Sequence, residues 1–391
     1  MKKASLIVLL FCIIGSVMVM WVQQLWSSRG FEICGFAMAM LWLGAFVGRQ
    51  AEPRWSLLLI PPVGAALWSL GQIFLGTTVY SWKTETAILY WSSNAAFFFV
   101  ALQTFADHQL QRRFIVAMTL FAGALAILST AQYYTSTSTI FWIFQTDISA
   151  TLGPIMGPFL NRNQYAAFME MLLPIALYHA LLDRKYGTFY AIAAGVMYAS
   201  VVGSASRTGT ALASAELLAV PLLLAGKGSI NLRRTLPALT ILMASVAALV
   251  MSIGYEDVVA RFEQRNLDMS RSEFLAASVS IARQQPWTGI GLGNWATAYP
   301  KYATYDNGAF ANQAHNDWAQ WAAEGGIPMA LLMALLALGT IPKAVRSVWG
   351  IGVIATFLHC WVDYPIERTG LATLFFVLLA ALEYPHSLEQ G

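Results

Sequence analysis

The chain has 391 residues, of which 58% are hydrophobic and 11% charged, with a mean hydropathy of +0.58 and a formal net charge of +3. This lies outside the range of soluble globular domains and inside that of polytopic membrane proteins, with membrane lipids as neighbours and no nucleic acid expected. Cys12, Cys34 and Cys360 lie in or at the ends of apolar runs with no C-x-x-C pair, so neither a disulfide framework nor a zinc site is indicated.

In chain order, the apolar run 4–22 follows Lys2 and Lys3 and is not followed by a small-residue cleavage site, so it reads as an uncleaved first helix. At about twenty residues per crossing, further spans fall at 31–48, 55–73, 88–106, 114–132, 166–182, 188–205, 208–226, 235–253, 327–342, 349–361 and 366–384. The expected fold is all-α, a polytopic membrane helical bundle of about 12 transmembrane helices. Residues 1–158 form its N-terminal helices, and 159–391 form a second part that includes a long polar loop at about 254–326.

With the N-terminus inside, the inner segments hold Lys2, Lys3, Arg49, Arg54, Arg112, Arg113, Arg184, Lys185, Lys227, Arg233, Arg234, Lys343 and Arg346. The short outer loops hold few cations, typified by Arg29 and Lys83, so the positive-inside rule gives one orientation with both termini inside. The long connections 133–165 and 254–326 then lie outside, and function is expected on that face. No internal repeat of transporter type and no soluble domain is visible.

Charge near hydrocarbon is costly unless paired or used. Arg162 opens the helix after the first long loop, where Asn161 or Asn163 can act as cap; capping with interfacial anchoring and ligand binding are equally good readings. Glu170, inside that span, calls for a buried cation or a cavity. Arg207, in Gly203-Ser204-Ala205-Ser206-Arg207-Thr208-Gly209, sits where two apolar runs almost touch. Its plain alternative is a snorkelling anchor, but the small residues around it permit close helix approach and favour an anion-binding role.

In the second loop, Arg261, Arg265, Arg271 and Arg283 precede an aromatic and glycine-rich stretch. Residues 270–282 read as an amphipathic helix lying along the membrane surface, with Ser270 as cap and Glu273 completing a capping box. The G-x-G-x-G turn at Gly289, Gly291 and Gly293 has neither the spacing nor the strand of a nucleotide fingerprint. In His315-Asn316-Asp317-Trp318 a helix is expected to start with Asp317 as N-cap and Gln320 at N3. His108, His179, His359 and His386 fall in inner segments, spans or the tail, which leaves His315 as the candidate general base.

These strings together resemble the O-antigen ligase and O-antigen polymerase family. The resemblance rests on 161–168 through Pro174, on Ser204–Gly209, and on Ser270-Arg271 leading to Pro286, Gly289, Gly291 and Gly293. It also rests on Tyr299-Pro300-x-Tyr302, on His315-Asn316-Asp317-Trp318 through Gly326, and on His359–Pro365, and it covers about 159–384. It implies a GT-C-like, cofactor-free and metal-independent glycosyltransferase of the bacterial inner membrane, with its active site at the periplasmic face. The donor would be an undecaprenyl-diphosphate-linked glycan, and the acceptor lipid A-core or a second lipid-linked glycan. Carried over by motif, His315 activates the acceptor hydroxyl, Arg207 is the transmembrane-block arginine, and Arg271 is the loop arginine, with Arg265 as a competing alignment. Leu275 stands where many members have Trp, and no appended soluble domain of the protein-glycosylating kind is seen.

The chemistry agrees independently. A departing diphosphate needs its developing charge stabilised, by a metal or by fixed cations. The chain has no D-x-D string, and arginines bind phosphate oxygens bidentately without deprotonating. His315, Arg271 and Arg207 are therefore the expected catalytic set, with Arg265, Arg261, Arg162, Asn163, Asn316, Asp317, Tyr299 and Tyr302 binding substrate. Trp287, Trp295, Tyr299, Tyr302 and Trp318 can stack on sugars or anchor at the interface. Two other classes remain open: a transporter or flippase for lipid-linked glycans, marked by cations spread through the membrane depth, and a non-catalytic subunit of a polysaccharide assembly complex.

Overall fold

The computed structural model describes residues 1–22, 26–135, 139–145, 156–228, 232–253, 268–304 and 310–384. The first part comprises α1 (Lys2–Met18), α2 (Trp26–Val47), α3 (Ile60–Phe74, after a 3-10 turn at Leu57–Leu59), α4 (Ser81–Phe105) and α5 (His108–Thr135). A two-stranded ribbon, Thr139–Ile140 with Phe144–Gln145, is the one sheet among the described residues. There follow α6 (Arg162–Leu182), α7 (Gly187–Gly203), α8 (Arg207–Gly226), α9 (Leu232–Ile253), α10 (Asp268–Gln284), the short α11 (Trp295–Ala298), α12 (Asp317–Ala344), α13 (Val348–His359) and α14 (Thr369–Ala381).

Each expected apolar segment overlaps a helix. By length and composition six of the helical segments can cross a membrane: Trp26–Val47, Leu57–Phe74, His108–Tyr133, Arg162–Leu182, Arg207–Gly226 and Asp317–Ala344. The apolar helices α7, α13 and α14 are shorter. The molecule is a membrane protein, and its wide exposure of Leu, Ile, Phe and Trp on α2, α3, α8 and α12 is what lipid contact requires.

The bundle is organised around α6, which is buried along 89% of its most apolar window and packs against α5, α7, α8 and α13. In lipid such packing depends on close van der Waals contact, so small residues mark the crossings. A Cβ on Gly209 would lie 2.3 Å from Ala166 Cβ, and one on Gly352 would lie 2.7 Å from the Glu170 carbonyl. These two glycines let α8 and α13 approach α6 at backbone distance. Glu170 finds its partner in the same core: His359 Nδ1 lies 2.9 Å from Oε2, with both side chains fully buried.

Two local expectations change. α12 starts at Asp317, and Asn316 is its N-cap, accepting from Ala319 N at 2.9 Å; Asp317 cannot cap because its own carboxylate is turned to Ile366 N. Within α12, Gly326 at φ +63 breaks the helix, separating a polar first segment from the apolar span. α10 starts at Asp268, two residues before the expected cap Ser270, and Glu273 accepts from Thr304 N at 2.8 Å. One face of α10 is covered by the protein: Ala277 and Ile281 join Ile290, Trp295, Tyr299, Ala314 and Ala323 in a second small core, while Leu275 and Val279 stay exposed.

The glycine turn carries its weight in structure. Glu324 accepts from Gly293 N at 2.8 Å and from Trp295 N at 2.7 Å, while Gln72 of α3 bonds the carbonyls of Thr288 and Glu324 and the Leu292 amide. These bonds fasten the loop after α10 onto the first part of the bundle.

Candidate active site

The site forms where the N-termini of α6, α8, α10 and α12 meet the connection between α13 and α14. Arg162 and Arg207 are each the first residue of a helix. Asn161 caps α6 through Asn163 N at 2.8 Å, and Ser206 caps α8 through Gly209 N at 3.2 Å. The α7–α8 connection is only Ser204–Ser206, closed by Ala205 in the left-handed region at φ +55, so Arg207 is held at the turn. The Gly209–Ala166 crossing then puts the two arginines on neighbouring helix ends. Arg162 lies within electrostatic reach of Arg207, Arg271 and Asp363.

Asp363 is the hub. It is 1% exposed and faces three partners: Asn163 Nδ2 donates to its Oδ2, Arg271 Nη2 lies 3.7 Å from that oxygen, and His315 Nδ1 lies 3.5 Å from Oδ1. Burial alone would raise its pKa. The contact with His315, together with the field of nearby cationic groups such as Arg271, outweighs burial and holds the carboxyl below its usual range. At 3.5 Å the imidazole and carboxylate touch without a formed hydrogen bond, and such contacts tighten in a substrate complex.

His315 is itself constrained. Its backbone is left-handed at φ +51, a conformation that costs a non-glycine residue roughly 1–3 kcal/mol and persists only where surroundings enforce it. Its ring stacks on Phe274 at 5.9 Å and meets Tyr364 edge to face at 4.8 Å. With Nδ1 turned to Asp363, Nε2 is the nitrogen left for a substrate hydroxyl, the arrangement in which a carboxylate orients a general base.

The Asn and Asp after His315 explain how residues 48 apart meet. Asp317 N donates to the Cys360 and Asp363 carbonyls at 2.8 and 3.2 Å, Asp317 Oδ2 accepts from Ile366 N at 3.1 Å, and Asn316 Nδ2 donates to the Trp361 carbonyl at 2.8 Å. The start of α12 is thereby clamped to the α13–α14 connection.

Several expected substrate ligands are therefore occupied by the protein. Asn316 and Asp317 form the clamp, and Asp317 is fully buried. Asn163 is spent on Asp363 and on Ser206 Oγ, at 2.7 Å from its Oδ1. Tyr299 stacks on Trp295 at 4.8 Å inside the small core. Polar and aromatic types near a candidate base invite a substrate-binding reading; here Asn316 and Asp317 bond backbone groups, Asn163 bonds side chains, and Tyr299 packs against a ring. Tyr302 donates to Gln284 Oε1 at 2.8 Å at the surface. Arg261 and Arg265 lie outside the described residues.

Asp363, Phe274 and Tyr364 were not singled out as site residues by the sequence reading. The available signal was an acidic residue followed by Tyr-Pro between two apolar runs, which marks a break without naming its partners.

No curated protein matches the chain. Residues 192–334 match the family model described as O-antigen ligase. That segment contains Arg207, Arg271 and His315, while Arg162, Asn163 and Asp363 lie on either side of it. This match, carried by the segment that holds Arg207, Arg271 and His315 of the site, supports membership of the O-antigen ligase and polymerase family.

Proposed function

We propose that the protein transfers a glycan from an undecaprenyl-diphosphate-linked donor to a sugar hydroxyl, at the periplasmic face of the inner membrane, as an O-antigen ligase or a surface-polysaccharide polymerase. The observation that carries this reading is Arg271 beside the Asp363–His315 pair, with Arg162 in the field of Arg207, Arg271 and Asp363. His315 Nε2 takes the acceptor proton as the acceptor oxygen attacks the anomeric carbon. The bond from that carbon to the diphosphate breaks, its electron pair stays with the diphosphate, and the arginines and adjoining helix N-termini hold the charge. The proton then leaves His315 for solvent. Asp363 orients the imidazole and balances part of the arginine charge. The charge pattern of the loops supports a twelve-crossing topology with both termini cytoplasmic and this end of the bundle outside.

The test is transfer by purified protein in detergent from a lipid-linked donor. His315→Ala is expected to lower turnover about 10²–10⁴-fold with donor affinity nearly unchanged. Arg207→Lys and Arg271→Lys keep charge but lose the fork, and are expected to lower turnover sharply. Wild-type turnover in His315→Ala, or in both Lys variants, sinks the reading. Glycan analysis of a deletion strain separates the two activities: long lipid-linked chains accumulate if a ligase is lost, and single repeats remain if a polymerase is lost.

A further inference from the structure

Arg368 stands beside His315 without a role in the scheme above. It follows the 3-10 turn Pro365–Glu367 and occupies the N-cap position of α14. Its guanidinium lies over the Tyr364 ring, 5.2 Å from the centroid, and Nη2 donates to the Tyr364 hydroxyl at 3.3 Å. Nε is buried and has no hydrogen-bond partner among the described residues. The neighbouring carboxylate of Glu367 lies in the field of Arg368 but accepts its hydrogen bond from Trp321 Nε1 at 3.3 Å, and no ion pair within 4.0 Å joins Arg368 to a described residue. Tyr364 in turn meets His315 at 4.8 Å, so the guanidinium is within about 10 Å of the imidazole, one ring beyond it.

A part-buried guanidinium near the hydrocarbon is costly unless it is paired or used. Here the guanidinium is held over an aromatic ring, which preorganises its remaining donors for an oxyanion and reduces the ordering cost of binding one. Its place in the site differs from that of the other arginines. Arg271 contacts Asp363, on the Nδ1 side of His315, and Arg162 lies in the field of Arg207, Arg271 and that carboxylate. Arg368 reaches His315 through Tyr364, the residue after Asp363, and engages neither oxygen of that carboxylate. A transfer reaction needs two substrates at His315, and the arginine cluster accounts for the charge on one of them.

We propose that Arg368 is the anion-binding residue of the acceptor subsite, taking a phosphate or diphosphate that the acceptor carries close to its reacting hydroxyl. The assignment to the acceptor rests on the glycosyl-transfer reading; the anion site itself does not. The acceptor class that follows is an anionic glycolipid, held at its charged group by Arg368 with its hydroxyl presented to His315 Nε2.

The experiment titrates the purified full chain in detergent at low ionic strength with radiolabelled inorganic pyrophosphate, in equilibrium dialysis. Two sites are expected in the wild type. Arg368→Gln should lose one and keep the other, Arg271→Gln should do the converse, and Tyr364→Phe, which keeps the ring and the guanidinium, should keep both. In a transfer assay Arg368→Gln should raise the KM for acceptor about tenfold or more with the KM for donor unchanged, the size expected for a charge-assisted bond. Unchanged pyrophosphate binding in Arg368→Gln overturns the proposal, as does a loss that Tyr364→Phe reproduces in full, since Arg368 would then only prop the ring. If Arg368→Gln does not accumulate in the membrane, Arg368→Lys carries the same test and must weaken pyrophosphate binding. If the Arg368 site binds pyrophosphate but the wild type transfers no glycan, the anion site stands and the glycosyl-transfer reading fails.

Discussion

Asp363 is buried, negatively charged and shared by Asn163, Arg271 and His315, so its removal is felt by three elements at once. Its folded pKa is depressed, so its contribution to stability is complete above the unfolded carboxylate value of about 3.9 and is lost as pH falls through the folded value. Between pH 5 and 8 the melting temperature of the wild type should therefore show no change traceable to this group. Asp363→Asn should cost about 1–3 kcal/mol across that window, the scale of one unsatisfied buried partner, with a larger fall in turnover because the imidazole loses its orienting charge. Thermal unfolding in detergent at several pH values, beside the transfer assay, checks both parts. A variant that matches wild-type turnover removes Asp363 from the mechanism. His315 was legible in the sequence as the candidate base, because it was the one histidine placed in a polar outer loop. That of Asp363 was not, since its meaning lies in contacts with residues 48 to 200 positions away.

At the scale of elements, α6 and α8 place their N-terminal arginines together only because Gly209 and Ala166 let the helices meet closely. Gly209→Ala would set a methyl 2.3 Å from Ala166 Cβ and 2.9 Å from Ser206 Oγ, forcing the crossing apart and disturbing the cap of α8. Overpacking of this kind costs about 1–3 kcal/mol, and diphosphate binding should weaken with it as Arg162 and Arg207 separate. The double variant Gly209→Ala, Ala166→Gly should recover part of both. Failure of the second substitution to restore any stability would show that this crossing does not set the arginine geometry. The helices themselves were readable from apolar length, and the close approach was anticipated from the Gly-Ser-Ala-Ser string at Arg207. The start of α12 was misread by one residue because Asn316 and Asp317 are both good caps, and only the α13–α14 connection, which occupies Asp317, decides between them.

For the whole molecule, one prediction joins topology to the site. The exposed Ser280 on α10 is the right probe of sidedness, whereas Ser278 is buried and holds Trp295 Nε1 at 2.8 Å. Ser280→Cys should react with a membrane-impermeant thiol reagent in intact spheroplasts; reaction only after lysis would reverse the orientation and place the site inside. The sequence by itself determined that this is a membrane protein, where its apolar helices run, and which arginines and which histidine merit attention. All of these are properties of composition and local order, because lipid demands long apolar helices and penalises stray charge. Tertiary structure decided which polar groups the protein uses to hold itself together. The clamp between the start of α12 and the α13–α14 connection uses Asn316 and Asp317, the α6–α8 contact uses Asn163, and the small core takes Tyr299. Backbone and carboxylate groups sequestered from water must be satisfied inside the protein, and that demand is met by whichever side chains the packing brings near, regardless of their distance along the chain.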